Sequence, residues 1–489
     1  MRHPVPSIRL RAANDAPVRP GGRYVLYWMI AARRTRWSFG LQRAVERCEE
    51  LGLPLVVFEP LRCGYRWASP RIHRFVTQGM ADNRDRLADA GVAFFPYVEG
   101  RAGDGSGLLR ALAADAAVVV TDDFPCFFLP RMVAAAAGKL DVHLEAVDSN
   151  GVMPLAATPK AFSRAFDFRR FLHKTLLDHI DERPEPEPLR GAAVCRGSLR
   201  ELVRPETLSR WAPWEDGIDH VEGLDHEVTV IPTPGGPVAG EAQMGLFLDH
   251  RLRGYGDRNH PDTKTTSELS PYLHFGHVAA SELIGELLDQ AEWTAPHPPP
   301  KPTGARAGWW GLSEAEEGFL DEAITWRETG YTFCHHEPRY DRYESLPSWA
   351  RTTMDEHRDD ERPEVYSLHE LEHAQTSDPI WNAAQRQLRE SGVIHNYLRM
   401  LWGKRIYEWS PSPEEAWSRL EHLNNRWSID GRNPNSYAGI GWVMGRFDRA
   451  WGPERPIFGK LRYMTSGSTK RKLKLDQYLQ RWGGQRTLF

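Results

Sequence analysis

At 489 residues the chain is long enough for two to four domains around sizeable cores. With 41% hydrophobic residues, 26% charged and a net charge of -4, it is excluded from the disordered, fibrous and membrane-embedded classes. The slightly acidic balance also means that a nucleic-acid partner has to be met by a local basic patch, and five scattered cysteines at no metal-ligand or redox spacing read as reduced thiols with no metal site.

Residues 1–22 read as an N-terminal arm. From 23 to 155, near-continuous apolar runs at 25–29, 55–58, 92–97, 117–121 and 142–147 alternate with helical periodicity at 41–51 and 71–90. Strands apolar on both faces belong to a parallel sheet covered by helices, so this part is expected to be an α/β, Rossmann-like domain. It lacks the Gly-x-Gly-x-x-Gly turn and the phosphate-loop lysine of the common nucleotide binders, and it reads as scaffold.

The period is lost from 156 to 240, where Pro184, Pro186 and Pro188, then Pro232, Pro234, Gly235, Gly236 and Pro237, predict an extended connector. Residues 241–489 are expected to form a large all-α domain, broken by a Pro-rich surface loop at 294–303.

Three places in the helical part carry chemistry. The run Thr265-Thr266-Ser267, followed by Leu269, Ser270 and Pro271, sets hydroxyls and free N–H groups at a helix start. A plain N-cap accounts for one hydroxyl, whereas three in a row with Tyr255 and Lys264 upstream suit a diphosphate. Glu322 and Trp326 are four apart and share a helical face, for which the bland alternative is a surface ion pair of the glutamate. Between 381 and 462, tryptophans crowd helix-forming sequence and carboxamides cluster beside Asp430 and an arginine, which suits a flat, hydrogen-bonding ligand with an electron path leading out of it.

The runs Thr265–Gly276, Ser377–Gln385, Leu398–Lys404, Leu423–Arg432 and Glu454–Met464 together resemble the class II cyclobutane pyrimidine dimer photolyases. The resemblance extends over nearly the whole chain after residue 22 and is weakest between 160 and 240. It implies an all-α FAD-binding domain after the α/β domain, with FADH⁻ as the active form and light-driven electron transfer to a dimer flipped out of double-stranded DNA. Carried over residue by residue, it implies Tyr255, Thr266, Ser267, Leu269, Ser270, Asn396, Arg399 and Asp430 at the cofactor, and Asn424 near the flavin ring nitrogen. Glu322, Trp326 and Trp442 would face the dimer. Trp402, Trp381 and Trp409 would re-reduce the flavin from solvent.

The basic run of Lys460, Arg462, Lys470, Arg471 and Lys472 is expected to track DNA phosphates as a loop, against the usual reading of a solvated charge run. A second, antenna chromophore, deazaflavin or folate, is an open expectation for the α/β domain. A monomeric cytoplasmic enzyme, associated with the nucleoid when bound to DNA, without membrane or protein partners, completes the reading. Its alternatives are a cryptochrome-type photoreceptor, a 6-4 photoproduct photolyase and a flavin-free helical nucleic-acid-binding protein. A 6-4 enzyme would show a histidine pair above the flavin, and His274, His277 and His395 are expected in structural roles instead. The chain departs from the family pattern at Thr329-Gly330-Tyr331-Thr332, at Asn396 and at Asn433.

Overall fold

The computed structural model describes residues 3–484, so the first two residues of the arm and the last five of the helical part lie outside the described residues. The chain forms two compact units. One comprises Met1–Pro159, Leu176–Gly245 and Leu269–Glu292; the other comprises Lys160–Thr175, Leu246–Glu268 and Trp293–Phe489.

The first unit is built on six strands, β1 (Leu10–Ala12), β2 (Tyr24–Trp28), β3 (Leu55–Leu61), β4 (Ala93–Val98), β5 (Ala116–Asp122) and β6 (Leu144–Val147), in the order β1-β6-β5-β2-β3-β4. All neighbours are parallel except the edge strand β1, which pairs antiparallel with β6. Helices α1 (Phe39–Leu51), α2 (Pro70–Ala90), α3 (Leu108–Ala113) and α4 (Leu129–Ala137) connect the strands. Along β2, Tyr24, Leu26 and Trp28 join one buried cluster and Val25 and Tyr27 the other, so both faces of the strand are core. Each such side chain contributes about 1.5–3 kcal/mol of burial.

The arm thus does more than the sequence suggested. It supplies β1, and the buried Arg9 beside it donates to the carbonyls of Val152 (2.6 Å) and Gly151 (3.2 Å).

β2 lies at the point where the strand order reverses, the usual crevice for a nucleotide phosphate. Here the N–H groups of Ile30, Ala31 and Ala32 donate to the Asp122 carboxylate at 2.8, 2.7 and 3.0 Å, and the Tyr27 hydroxyl donates to it at 2.8 Å. The protein's own anion fills the slot that a phosphate would take. A Cβ on Gly40 would lie 2.8 Å from the Tyr27 hydroxyl and 2.9 Å from Asp122, so that close approach requires glycine.

Residues 176–240, expected as part of a connector, carry short helices and, together with 241–245, expected in the helical domain, belong to the sheet unit. Arg204 pairs with Asp115 (2.5 Å), the Trp214 N–H donates to the Pro96 carbonyl (2.8 Å), and the Trp211 indole donates to the Asp104 carbonyl (2.8 Å). Within the same unit His277 is buried, accepts the Gly236 N–H at Nδ1 (3.0 Å) and is pushed down to about 3 by burial, the state of a structural imidazole. Residues 160–175 belong instead to the helical unit, where Arg169 grips Asp321 through two bonds of 2.6 and 2.9 Å.

In the helical unit, a π-helical segment (Asp321–Trp326) leads into α5 (Arg327–His336). There follow α6 (Pro379–Ser391), α7 (Asn396–Glu408), α8 (Pro413–Trp427), α9 (Pro434–Val443) and α10 (Ser466–Lys472). Asp378, Ser412 and Asn433 cap α6, α8 and α9 through side-chain bonds to the first-turn N–H groups. Asn433, a departure from the family pattern, is therefore a helix cap, a place where Asn serves as well as Asp. The departure at 329–332 has a packing reason. A Cβ on Gly330 would lie 2.6 Å from Asn435 Oδ1 and 3.0 Å from the Pro434 carbonyl, so glycine lets α5 and α9 touch, while Thr329 donates to the Thr325 carbonyl (2.6 Å).

Candidate active site

Glu322 and Trp326 both lie in the π-helical segment, a local widening that often marks functional positions. Glu322 is about a third exposed and meets Arg258 at 3.4 Å, and the Arg258 guanidinium lies 4.8 Å from the centroid of the Tyr255 ring. Burial raises the Glu322 carboxyl above the usual carboxylate range, against the opposing pull of Arg258. Such a group carries a proton more readily than a surface glutamate and can donate a hydrogen bond. Tyr255 itself is buried, with Phe247 and Phe319 both edge to face with it at 5.9 and 5.3 Å.

The Tyr255 segment comes close to the start of α7. Burial lowers His395 to about 4 against the pull of the Arg258 backbone, so the imidazole is neutral at pH 7. The His395 N–H donates to Gln387 (3.0 Å), which also accepts from the Tyr478 hydroxyl (2.8 Å). One turn into α7, Arg399 meets Asp430 at 3.4 Å; Asp430 is buried and accepts from the Ser428 hydroxyl, while the arginine keeps an open side.

Asn424 and Asn425 stand at the end of α8 rather than in the turn. The Asn424 amide donates to Asn425 Oδ1 (3.0 Å), which also accepts the Arg432 N–H (2.8 Å). The Asn425 amide nitrogen is buried with no partner among the described residues. Arg432 is buried in a left-handed conformation (φ 68°) and donates to the Ser428 and Ile429 carbonyls, both at 3.1 Å. Holding a non-glycine residue there costs about 1–3 kcal/mol. A spare buried amide donor and an ion pair open on its cationic side are the donor set of a flat polar ring with anionic character, and a flavin fits that description.

The three tryptophans expected to re-reduce the flavin connect in series. The Trp402 indole donates to Gln385 (2.9 Å), the Trp381 indole donates to the Trp402 carbonyl (3.0 Å), and the Trp381 and Trp409 rings meet edge to face at 5.4 Å. All three are buried, Trp409 included. The expected exit to solvent therefore does not lie at Trp409 itself. Half-buried Tyr366 continues the line at 5.1 Å, and Arg405 stacks over Trp409 at the same distance. Neither residue was singled out from sequence.

Trp442, half-buried at the end of α9, lines a cavity of about 450 Å³ with Tyr397, Trp451, Arg462, Tyr463 and Lys472. Trp326, expected across a cavity from it, is not among the lining residues. Arg462 lies 5.3 Å from the Trp442 ring and 4.2 Å from that of Trp451 and is paired with Asp448 (2.9 Å), so its charge is committed inside the protein. Lys460 pairs with Glu454 (3.1 Å). The Lys470, Arg471 and Lys472 run, expected as a loop, is the exposed last turn of α10, which a Thr465–Ser468 capping box starts. Lys472 lies over Tyr397 at 4.9 Å.

The hydroxyl run divides between the units. Thr266 and Ser267, half-buried, belong to the helical unit, where the Thr266 carbonyl accepts from Arg251 (3.4 Å). Leu269 and Ser270 belong to the sheet unit. Leu269 is wholly buried at the N-cap of the helix Ser270–His274 and makes no side-chain cap, and Ser270 is exposed. None of these hydroxyls is that helix's N-cap. Asn396 is exposed at the first position of α7.

Comparison with known proteins agrees with this geometry. The family model described as the FAD binding domain of DNA photolyase matches residues 319–452, the stretch from the π-helical segment to the Trp442 cavity. A deoxyribodipyrimidine photo-lyase of Methanothermobacter thermautotrophicus is 35% identical over 97% of this chain and 98% of its own length. One of Arabidopsis thaliana is 33% identical over 93% of this chain and 88% of its own. In fold, the chain is similar to a class III photolyase of Agrobacterium tumefaciens (TM-score 0.69, 16% identity, 95% of this chain and 87% of that one). It is also similar to a Synechocystis cryptochrome (TM-score 0.67, 13% identity, 95% and 89%).

Proposed function

The chain belongs to the deoxyribodipyrimidine photo-lyase family, within the photolyase and cryptochrome group, and from that premise we propose that it is a class II enzyme repairing cyclobutane pyrimidine dimers in DNA under light. Support for the class comes from the ordered motifs of the helical part, since 16% identity to a class III enzyme bears on fold alone. Bound in the helical unit in its reduced form, FAD supplies the light-driven electron that opens the cyclobutane ring and recovers it afterwards.

The protein's own groups bind, orient and exclude water. Arg399, with Asp430 behind it, would balance negative charge on the cofactor ring, and Asn424 would offer an amide that can donate or accept. Tyr255, Thr266 and Ser267 would serve its phosphate end. Trp326 and Trp442 would pack against the flipped dimer, and Trp402, Trp381 and Trp409 would carry electrons inward from the Tyr366 side. Lys470, Arg471 and Lys472, solvent-facing on α10, would meet DNA phosphates, with Lys460 and Arg462 acting after or through their ion pairs.

The observation that carries the reading is Glu322. A carboxyl with a raised pKa, on a π-helical turn and about a third exposed, is suited to donate to a dimer carbonyl on which negative charge develops. A light-gathering deazaflavin or folate would belong to the sheet unit, where Tyr65, Trp67, Phe127 and Phe128 cluster on the loops after β3 and β5.

The test is illumination of the reduced, FAD-loaded protein with dimer-containing DNA, scoring restored pyrimidines. Light-dependent restoration is expected. A protein that holds FAD and restores nothing would move the reading to a photoreceptor, and one that cannot be loaded with FAD would end it.

A further inference from the structure

Lys404 sits on α7 inside the protein, 1% exposed, and its amine donates to the Val443 carbonyl. Among the described residues no carboxylate lies within ion-pairing distance of it. Val443 is the last residue of α9, the helix that carries Trp442. At that helix end the N–H of Met444 turns back to the Gly441 and Trp442 carbonyls, Gly445 donates to Trp442 (3.2 Å), and Arg446 donates to Gly441 (2.9 Å). The backbone thus serves the Gly441 and Trp442 carbonyls and leaves that of Val443 to the lysine. Gly403 makes the contact possible, because a Cβ there would meet the Val443 side chain at 2.5 Å.

The amine also lies 5.8 Å from the centre of the Trp442 ring, as Arg462 does at 5.3 Å. The charges that act on the amine are Asp448 and Arg462, and Arg455 and Lys472 also line the cavity beside Trp442. From the chain after α9 comes Asp448, already paired with Arg462 (2.9 Å) and accepting from the Trp451 indole (3.1 Å). From the same chain comes Arg446, stacked on Phe333 at 4.1 Å. On α7 itself, Arg405 and Glu408 are turned to each other, and Arg405 also to Asp378. With Asp448 matched by Arg462, the Lys404 charge is surplus beside the indole.

We propose that Lys404 is a positioning residue for substrate binding: it ties off the last carbonyl of α9 and sets a positive charge beside Trp442, fixing the face that this indole offers to a pyrimidine dimer. The proposal rests on the reading of Trp442 as a wall of the dimer site. Burial lowers the amine to about 7, with Asp448 resisting and Arg462 adding to the shift, so the charge is half lost near neutrality.

The experiment uses full-length, FAD-loaded protein and two variants. Lys404→Met keeps the stem and removes the donor, whereas Lys404→Gln keeps a donor and removes the charge. Without DNA, amide exchange at residues 444–446 is expected to quicken about tenfold in Lys404→Met, the scale of leaving a buried carbonyl without its donor, and to stay near the parent rate in Lys404→Gln, which keeps a donor. With oligonucleotides, parent affinity for dimer-containing DNA should fall several-fold from pH 6 to 8.5 while affinity for undamaged DNA follows no such step. Both variants should sit at the lower affinity with a flat profile.

Parent-like exchange in Lys404→Met overturns the clamp. A parent-like pH step in either variant, or no step in the parent, overturns the role of the charge, and the parent arm stands even if a variant fails to fold. A parent with no preference for dimers overturns the functional reading instead, and the exchange arm still decides the clamp.

Discussion

Some buried polar groups of the two units are held differently. In the sheet unit, Asp122 is saturated by three backbone N–H groups and a tyrosine, and fully buried Glu59 is held by Arg33 and Asn83, each at 3.0 Å. In the helical unit, Lys404 has one carbonyl, Arg446 has two buried nitrogens without partners, and the Asn425 amide has none. Buried polar groups closed on themselves specify a fold, and groups left with capacity to spare are available to a ligand. If the scaffold and the chemistry lie in different units, as proposed, substitutions should separate stability from photochemistry.

The largest separation is expected at Trp402. Trp402→Phe should abolish photoreduction of oxidised FAD in the presence of a thiol, yet leave repair nearly intact when the flavin is reduced chemically, as followed by flavin absorption and by restored pyrimidines. Equal loss of both would make Trp402 a packing residue. Next comes its counterpart in the sheet unit. Asp122→Ala should cost about 3–5 kcal/mol in denaturant unfolding, because three buried N–H groups and the Tyr27 hydroxyl lose their acceptor together. The protein that remains folded should keep the parent flavin spectrum. A shifted spectrum would mean that the division of labour between the units is false.

How much of this was legible in sequence also divides by unit. β2 to β6 were legible because a strand buried on both faces shows as an unbroken apolar run, as in Val118-Val119-Val120. β1 was not, since Leu10-Arg11-Ala12 has no pattern and its partner β6 is more than 130 residues away. The 176–240 stretch was illegible for the same reason: prolines remove periodicity, and what holds it are single remote bonds such as Arg204 to Asp115. At the site, the aromatic and charged residues could be placed by family motif, but their partners could not. Arg258, Gln385, Tyr366 and Lys404 matter through contacts that local sequence does not announce. A π-helical insertion likewise leaves the spacing of Glu322 and Trp326 unchanged, and three consecutive cations after Gly467 look like a loop until the Thr465 and Ser468 hydroxyls are seen to start a helix.

A smaller effect is expected at Glu322. Glu322→Gln should bind damaged DNA almost as the parent does, because an amide replaces the protonated carboxyl as donor. Glu322→Ala should leave a polar edge of the dimer unpaired, a loss of about 1–3 kcal/mol, and should lower the splitting yield more than the affinity, since the contact matters more to the charged transition state than to the ground state. Repair by Glu322→Ala at the parent's efficiency would reject the assignment, and Asp321, already engaged by Arg169, or Glu328 would be tested next.

The smallest effect tests the electrostatics rather than the residue. Burial is the largest force on the Glu322 carboxyl and raises its pKa, Asp321 adds to the rise, and Arg258 at 3.4 Å and, less strongly, Arg306 pull the other way. Removing the main opposing force by Arg258→Met lets the pKa rise further, so the protonated fraction at pH 7 increases. If the protonated form serves the dimer, repair yield in the parent declines as pH rises through the Glu322 pKa, and in Arg258→Met that decline begins at higher pH. Glu322→Gln, with nothing to titrate, should show no such limb. Removal of a cation from beside the substrate would thus preserve or improve repair at neutral pH, the opposite of what loss of a DNA-binding arginine would do. A limb displaced to lower pH, or one that survives in Glu322→Gln, would show that the ionised carboxylate, or another group altogether, controls the step.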